Sequence, residues 1–247
     1  EERNHLYIDF FNTVKKASPN FFLIENVRGM VTLDKGAFVS DIHDRFGNLG
    51  YTVNHAILDS SDYGVPQARK RVFFIGIKGK KFIFPNKILK KVSAFEALSD
   101  LPKVEGSSEY LNKPKNKYQS EMRRNVSKVK NHEFTNHSDQ TKDIISKVPD
   151  GGNIRSLPKE YWNIRKFNKA FQRMDSSQPS LTIDTGHRNY FHYEENRIPT
   201  VRESARIQSF SDDFEFLGSK SSQYKQVGNA VPPKLAFILA AEIKKFL

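Results

Sequence analysis

The sequence predicts an α/β protein, because helical and strand-like apolar patterns alternate along its first third. In the segment FFLIENV (21–27), four apolar residues precede Glu25 and Asn26, and the segment lies between Pro19 and Gly29. Such a run is typical of a short strand buried on both faces of a parallel sheet. Helical spacing before and after this run indicates a layered α/β arrangement.

The elements of this layer follow in order. Apolar residues three or four positions apart predict a helix over 4–17, and a strand follows at 20–25. Asp34 is placed to cap a second helix that ends near Gly47 and Gly50. Runs rich in β-branched and aromatic residues then predict strands at 51–58 and 71–77.

The second half of the chain is organised by capping signals. Ser93 and Glu96 form a capping-box pattern that predicts a short helix, and TVRE at 200–203 repeats the pattern. The pair Pro232-Pro233 is suited to the first turn of a last helix, whose apolar face is broad.

The irregular middle of the chain predicts the domain organisation. From residue 102 to about 134 the sequence is typical of a linker or domain margin, and 135–195 of a small, irregular, partly β domain. We therefore expect a catalytic-domain part at 1–101, a recognition region at 102–195, and a segment at 196–247 that supports it and returns to the catalytic domain.

Composition narrows the class of protein. The chain has 247 residues, 37% of them hydrophobic and 28% charged, and it contains neither an apolar run of membrane-spanning length nor a signal-peptide pattern. We therefore expect a soluble cytoplasmic protein. The absence of cysteine excludes disulfides, thiolate metal sites and a cysteine nucleophile from these residues, and the spacing of the seven histidines predicts no metal site.

The charge indicates a polyanionic partner. The net charge is +12, and residues 103–173 hold 16 Lys and Arg against 8 Asp and Glu. Clustering of this kind is typical of a nucleic-acid-binding face. A lysine-rich surface that only keeps the protein soluble is the alternative, which charge alone leaves open.

One carboxylate and two arginines stand at predicted strand ends. Glu25 closes the apolar run FFLIENV, and ligands of open α/β sheets bind beyond the carboxyl ends of the strands. Arg69 and Arg71 share one side of an extended chain, since they are two residues apart. If their strands are neighbours, an arginine can hold Glu25 and also donate to a ligand. The alternatives are a solvated or capping glutamate and arginines that cap a sheet edge.

Four segments resemble known motifs. ENV at 25–27, QARKR at 67–71, RIPTVRESARIQSF at 197–210 and QVGNAVPP at 226–233 are similar, in this order, to motifs of the DNA (cytosine-5) methyltransferases. The resemblance covers residues 2–246, although 102–195 matches only in being variable and basic. It implies an incomplete Rossmann-like methyltransferase sheet with a target-recognition domain. It also implies S-adenosylmethionine as cofactor, double-stranded DNA as partner, and a cytosine flipped out of the duplex.

The resemblance also implies roles for individual residues. Glu25 matches the glutamate that binds the N3 and amine edge of the cytosine and donates a proton to N3. Arg71 matches the arginine that contacts the cytosine O2, and Arg69 supports the site. Asn229 and Val231 match positions that line the S-adenosylmethionine pocket.

Two further sets of residues complete the expected site. The basic groups expected to contact DNA are Arg155, Arg165, Lys166, Arg173 and Arg188. The motif residues expected to have structural roles are Asn26, Gln67, Thr200, Arg202, Glu203, Arg206, Gln208 and Gly228.

The sequence also departs from the family. The glycine-rich cofactor loop and the Pro-Cys loop that carries the nucleophile are both absent from these residues. We therefore expect the C-terminal part of a methyltransferase that is inactive alone and needs a complementary segment or subunit with the Pro-Cys loop. We also expect a bacterial restriction-modification protein associated with the nucleoid.

Two alternatives remain at this point. One is a non-catalytic DNA-binding subunit, and the other is an RNA cytosine-5 methyltransferase. The length of the recognition region between QARKR and RIPTVRE favours duplex DNA over RNA.

Overall fold

The computed structural model describes residues 2–88, 90–124, 126–164, 171–183, 185 and 190–247. The helices are α1 (Glu2–Ala17), α2 (Ala37–Gly47), α3 (Ala94–Leu98), α4 (Lys117–Arg123), α5 (Asp139–Lys147), α6 (Val201–Ile207), α7 (Lys220–Asn229) and α8 (Pro233–Lys244). The strands are β1 (Phe21–Val27), β2 (Tyr51–Asp59), β3 (Lys70–Lys78), β4 (Gln172–Arg173) and β5 (Tyr190–Phe191). Short 3-10 turns lie at Arg28–Gly36, Ser60–Tyr63, Ile154–Ser156 and Lys159–Tyr161.

The chain divides into two compact units. The sheet unit comprises Glu1–Asp59, Lys70–Lys87 and Ala236–Leu247, and the mixed unit comprises Ser60–Arg69 and Ile88–Leu235. Each unit is therefore built from segments that are distant in sequence. The predicted divisions after residues 101 and 195 do not coincide with these boundaries.

The sheet unit contains a three-stranded antiparallel sheet in the order β1-β3-β2. The α/β class is confirmed, whereas the prediction of parallel pairing around FFLIENV is wrong for the described strands. β1 lies at an edge of this sheet, and Phe22 is its one buried residue. β3 lies in the centre and is buried from Val72 to Ile77. Local apolarity predicted both strands, but it carries no information about the direction or identity of the partner strand.

Helices α1 and α2 cover one face of this sheet. Their core combines Phe46 of α2 with Phe22 and Phe74 of the strands, and the rings of Phe22 and Phe46 have centroids 4.2 Å apart. The ring of Phe22 occupies the place where Gly76 would carry a Cβ, so no larger residue fits there without displacing this ring. This face is therefore a packed aromatic core.

Helix boundaries in the sheet unit follow the predictions, with one correction. α1 matches the predicted helix, and β2 and β3 match the predicted strands within one residue. Asp34 is not the cap of α2, because it lies inside the preceding 3-10 turn and Gly36 occupies the N-cap position with a φ of 91°. A left-handed φ of this kind suits glycine, so backbone geometry sets this boundary.

The mixed unit packs around two apolar clusters. The larger one includes Leu98, Met174, Ile207 and Val227. The smaller one joins α5 to β5 through Ile145 and Phe191, among others. The two-residue parallel pair β4-β5 agrees with a partly β region.

Of the two interpretations of residues 102–134, a linker or a domain margin, the linker is wrong. This segment contains α4, and its Tyr118, Met122 and Val129 are buried in the larger cluster. Polar residues outnumber apolar ones in the segment, so its few core anchors are hard to recognise from composition.

The capping signals are confirmed in the mixed unit. Ser93 and Glu96 make both hydrogen bonds of a capping box at α3, and Thr200 and Glu203 do the same at α6. α5 and α7 were not predicted.

Among the residues that the structure describes, no helix is long and apolar enough to cross a membrane. The same residues contain no group of three or more His, Asp or Glu side chains arranged to hold a metal ion.

Candidate active site

Glu25 and Arg71 form an ion pair across two neighbouring strands. Register pairs Val27 with Arg71, and Glu25 lies two residues before Val27 on β1, so it is on the same face of the sheet as Arg71. Arg71 Nε lies 3.2 Å from Glu25 Oε1, and the two side chains remain 19% and 23% exposed. The pair therefore keeps polar surface for a ligand. Asn26 points to the opposite face, and its Oδ1 accepts a hydrogen bond from the Val27 backbone N–H.

Arg69 precedes β3 and belongs to the mixed unit. Its side chain is buried, with Nη1 donating to the Ile183 carbonyl at 3.2 Å and Nη2 to the Gly228 carbonyl at 2.9 Å. Arg69 thus ties the QARKR segment to the end of α7, where QVGN begins the last motif. The expectation that Arg69 supports the Glu25–Arg71 site stays a prediction, because these two contacts lie within the mixed unit.

Two buried glutamines join the same motifs. Gln67 and Gln208 are both fully buried, and the Gln67 amide donates to Gln208 Oε1. Gln208 in turn donates to the carbonyls of Val227 and Ala230. Three segments that are widely separated in sequence thus converge within the mixed unit.

The two predicted cofactor-lining residues flank the end of α7. Asn229 is the last residue of the helix and is exposed, and Val231 is half-buried. An exposed amide beside an apolar side chain offers a hydrogen-bonding group and a nonpolar contact, the combination that small-molecule sites use. These residues fit one wall of a site for S-adenosylmethionine.

The arginines of the RIPTVRESARIQSF segment are structural in this fold. Arg206 is fully buried, and its five N–H groups reach the carboxylates of Asp100 and Asp212 and the Ala97 carbonyl. Burial alone would lower the pKa of Arg206, but these two carboxylates raise it. Arg202 donates to three backbone carbonyls, including that of Phe214.

Glu203 is the carboxylate of a second buried cluster. Burial opposes its ionisation, but Arg197, which binds both carboxylate oxygens at 2.8 Å, holds the pKa of Glu203 well below its usual range. His192 lies beside it, with Nε2 3.8 Å from Glu203 Oε1, and burial lowers the pKa of His192 to about 4. Thr200 Oγ1 lies 2.9 Å from His132 Nδ1.

The predicted DNA contacts fall into three groups. Arg155 lies in the turn Ile154–Ser156 with its guanidinium 4.5 Å from the centre of the Trp162 ring. Arg173 is 4% exposed, and its guanidinium donates to the carbonyls of Ile145 and His192. A side chain held in this way cannot reach a phosphate, so the prediction that Arg173 contacts DNA is wrong.

The remaining predicted contacts, Arg165, Lys166 and Arg188, lie outside the described residues.

Sequence reasoning missed the partners of the buried arginines. Asp100 and Asp212 neutralise Arg206, and Arg197 neutralises Glu203. A buried charge needs a partner, so the existence of these groups follows from burial. Their identity does not, because Asp100 is 106 residues from Arg206.

The comparisons with known proteins identify the family of this chain. A family model described as C-5 cytosine-specific DNA methylase matches residues 1–245. The chain belongs to this family of DNA cytosine-5 methyltransferases, whose members use S-adenosylmethionine as methyl donor.

Two curated relatives are type II methyltransferases. M1.HphI of Haemophilus parahaemolyticus is 38% identical over 247 residues, which cover 99% of this chain and 62% of that protein. M.DdeI of Desulfomicrobium norvegicum is 36% identical, covering 98% and 67% of the two chains. The chain thus spans about two thirds of the length of these relatives.

A crystal structure supports the fold. A prophage-encoded protein of E. coli, assigned as a DNA modification methyltransferase, superposes with a TM-score of 0.82 at 24% identity. The match covers 99% of this chain and 74% of that protein, and at this identity it bears on the fold alone.

Proposed function

We propose that this chain supplies the target-base pocket, the DNA-recognition region and one wall of the cofactor site of a DNA (cytosine-5) methyltransferase of a restriction-modification system. The observation that carries the proposal is the Glu25–Arg71 ion pair, which keeps a carboxylate and a guanidinium together and partly exposed on one face of the sheet. The family membership and the type II methyltransferase relatives support the reaction class.

The pair matches the polar edge of cytosine. Glu25 binds the exocyclic amine and N3 edge of a base flipped out of the duplex, and donates a proton to N3 when a thiolate adds to C6. Arg71 orients Glu25 and donates to the cytosine O2. S-adenosylmethionine supplies the electrophilic methyl group that C5 receives. Asn229 and Val231 contact this cofactor through hydrogen bonding and apolar packing, respectively.

The mixed unit contributes DNA binding. Residues 103–173 carry an excess of eight positive charges, which favours the phosphate backbone of duplex DNA. Arg155, together with Arg165, Lys166 and Arg188, remains in the proposed contact set. The description of the family model as a cytosine-specific DNA methylase supports DNA over RNA as the substrate.

These 247 residues do not transfer a methyl group on their own. They contain no cysteine, and C6 attack requires an activated nucleophile. A segment with a Pro-Cys loop, in the same polypeptide or in a second one, must therefore be present. The isolated 247-residue polypeptide should show no methyl transfer and very weak S-adenosylmethionine binding, and adding the cysteine-bearing segment should restore both.

The role of Glu25 is tested in the complete enzyme, that is, this chain together with the cysteine-bearing segment. Glu25→Gln should lower the rate of tritiated methyl incorporation into DNA by a factor of about 10² to 10⁴, the usual contribution of a general acid. DNA affinity should change little, because phosphate contacts dominate it.

Glu242→Gln is the matched control, because Glu242 is another ion-paired carboxylate of the sheet unit, 26% exposed and bound to Lys245. This variant should keep full activity. Full activity in Glu25→Gln would contradict the assignment, and DNA binding by a wild-type complete enzyme without any transfer would favour a non-catalytic binding subunit. Preferential methylation of RNA would exclude DNA as the substrate.

A further inference from the structure

The turn that follows α7 is held by side chains from two other segments. Gln208 Nε2 donates to the carbonyls of Ala230 at 2.7 Å and Val227 at 3.2 Å. Arg69 Nη2 donates to the carbonyl between them in the chain, that of Gly228, at 2.9 Å. Three carbonyls within four residues are thus bound by buried side chains.

These hydrogen bonds supply donors to backbone carbonyls at the end of α7. The last carbonyls of a helix lack partners within the helix and need donors from elsewhere. Here the chain runs from Ala230 through Val231 into Pro232-Pro233, and proline has no N–H to offer. The Ala230 backbone N–H donates to the Val227 carbonyl at 3.3 Å, and buried side chains supply the other donors to the turn. Gln208 makes two of these side-chain hydrogen bonds.

Gln67 fixes the orientation of the Gln208 amide. The backbone N–H of Ile183 donates to Gln67 Oε1 at 3.0 Å, so the Gln67 amide nitrogen must face Gln208. Gln67 therefore donates to Gln208 Oε1, which leaves the Gln208 amide nitrogen facing the turn. Along this series of hydrogen bonds every donor faces an acceptor. A buried network in which all groups are paired in this way has a single low-energy arrangement.

We propose that Gln208, oriented by Gln67, is a positioning residue for cofactor binding. Asn229 and Val231 flank Ala230, so the amide that binds the Ala230 carbonyl also fixes where these two side chains point. The inference rests on the proposed function, which gives Asn229 and Val231 their contacts with S-adenosylmethionine. It assigns Gln208 a role in cofactor affinity, whereas the motif alone indicated only support of the recognition domain.

The test uses three variants of the complete enzyme. Gln208→Met keeps the volume of the side chain but removes both donors to the turn. Gln208→Glu keeps an acceptor for Gln67 but turns a carboxylate oxygen toward two carbonyls. Gln119→Met is the matched control, because Gln119 is a fully buried glutamine of the same unit that binds Ser99 and the Glu96 carbonyl.

Calorimetry with S-adenosylhomocysteine, the demethylated cofactor, gives a readout independent of turnover. Gln208→Met should weaken binding by about ten-fold, the effect of losing roughly one net hydrogen bond, and Gln208→Glu should weaken it further. The KM for S-adenosylmethionine should rise in parallel, with kcat at saturating cofactor and the KM for DNA changed by less than about two-fold. Gln119→Met should leave cofactor affinity unchanged, even if it lowers thermal stability as much as Gln208→Met does.

The outcomes separate the inference from the proposed function. If the wild-type complete enzyme binds no S-adenosylhomocysteine, the proposed function fails. If the wild type binds and Gln208→Met binds equally well, the positioning role is refuted. Equal weakening in Gln208→Met and Gln119→Met would also refute it, because the loss would then follow from general destabilisation.

Discussion

Two arginine–carboxylate clusters of this protein differ in what remains available to a ligand. In the mixed unit, Arg206 has an acceptor for each of its five N–H groups, and the side chains of Arg206, Asp100 and Asp212 have no exposure. In the sheet unit, Arg71 and Glu25 meet at 3.2 Å, and about a fifth of each side chain stays exposed. The first arrangement has no exposed polar surface, whereas the second keeps some. Exposure of the charged groups thus distinguishes the two clusters better than their charge does.

Arg206→Met tests the scaffold side of this comparison. Removing the guanidinium leaves two buried carboxylates without their main partner, which should cost about 3–5 kcal/mol of unfolding free energy. Denaturant unfolding followed by circular dichroism would measure the loss. A cost below about 1 kcal/mol would mean that Arg206 is not a structural anchor.

Burial of His192 in the mixed unit should make the stability of the protein depend on pH. In the folded protein burial lowers the pKa of His192 to about 4, from an ordinary value of 6.5. Between these values the unfolded chain binds a proton that the folded protein does not, so stability falls as the pH drops from 6.5 toward 4, by up to about 3 kcal/mol.

His192→Asn isolates this contribution. The asparagine Oδ1 can replace His192 Nδ1 as the acceptor for the backbone N–H groups of Glu194 and Glu195. Unfolding free energies measured from pH 4 to 7 should therefore vary less steeply in the variant than in the wild type. Identical slopes would show that His192 is not the titrating group.

Arg71→Met is the counterpart on the site side. Because the ion pair is partly exposed, its loss should lower the unfolding free energy by only about 1 kcal/mol. Methyl transfer by the complete enzyme should nevertheless fall by at least about 10², since Glu25 loses its orienting partner and the base loses a donor. Both quantities are measured, by denaturant unfolding and by methyl incorporation into DNA. If Arg71→Met proved strongly destabilised but fully active, Arg71 would belong to the scaffold and not to the site.

Arg155→Gln should have the smallest effect on stability, at most about 1 kcal/mol, because the contact that it loses with Trp162 lies at the surface. Its expected consequence is weaker DNA binding at low salt and a salt slope of log affinity reduced by about one. Titrations at several ionic strengths would measure both. Unchanged affinity and slope would remove Arg155 from the DNA contacts.

The accuracy of sequence reasoning depended on the range of the interactions involved. The capping boxes at 93–96 and 200–203 were predictable because both partners lie within one helical turn. α7 was missed because its sequence, KSSQYKQVGN, has few apolar residues, although Ser219 caps it. The direction of β1 was wrong because its partner β3 lies more than 40 residues away.

The same rule applies to the candidate site. Glu25 and Arg71 could be named from motifs, and the structure adds that they pair across neighbouring strands. The burial of Arg173 and the contact between Gln67 and Gln208 were not accessible, because each depends on segments brought together by folding. Sequence motifs identified chemical groups, whereas their partners depended on the tertiary structure.

The division of the chain has a consequence for biosynthesis. The sheet unit is interrupted after Lys87 and resumes at Ala236, so a ribosome must add the 148 intervening residues before Phe246 can contact Phe82. At typical translation rates of about 5–20 residues per second, this delay lasts about 7–30 s. During that interval Phe82 of the nascent chain lacks its contact with the Phe246 ring, so this part of the sheet unit reaches its final packing only after the mixed unit has been synthesised.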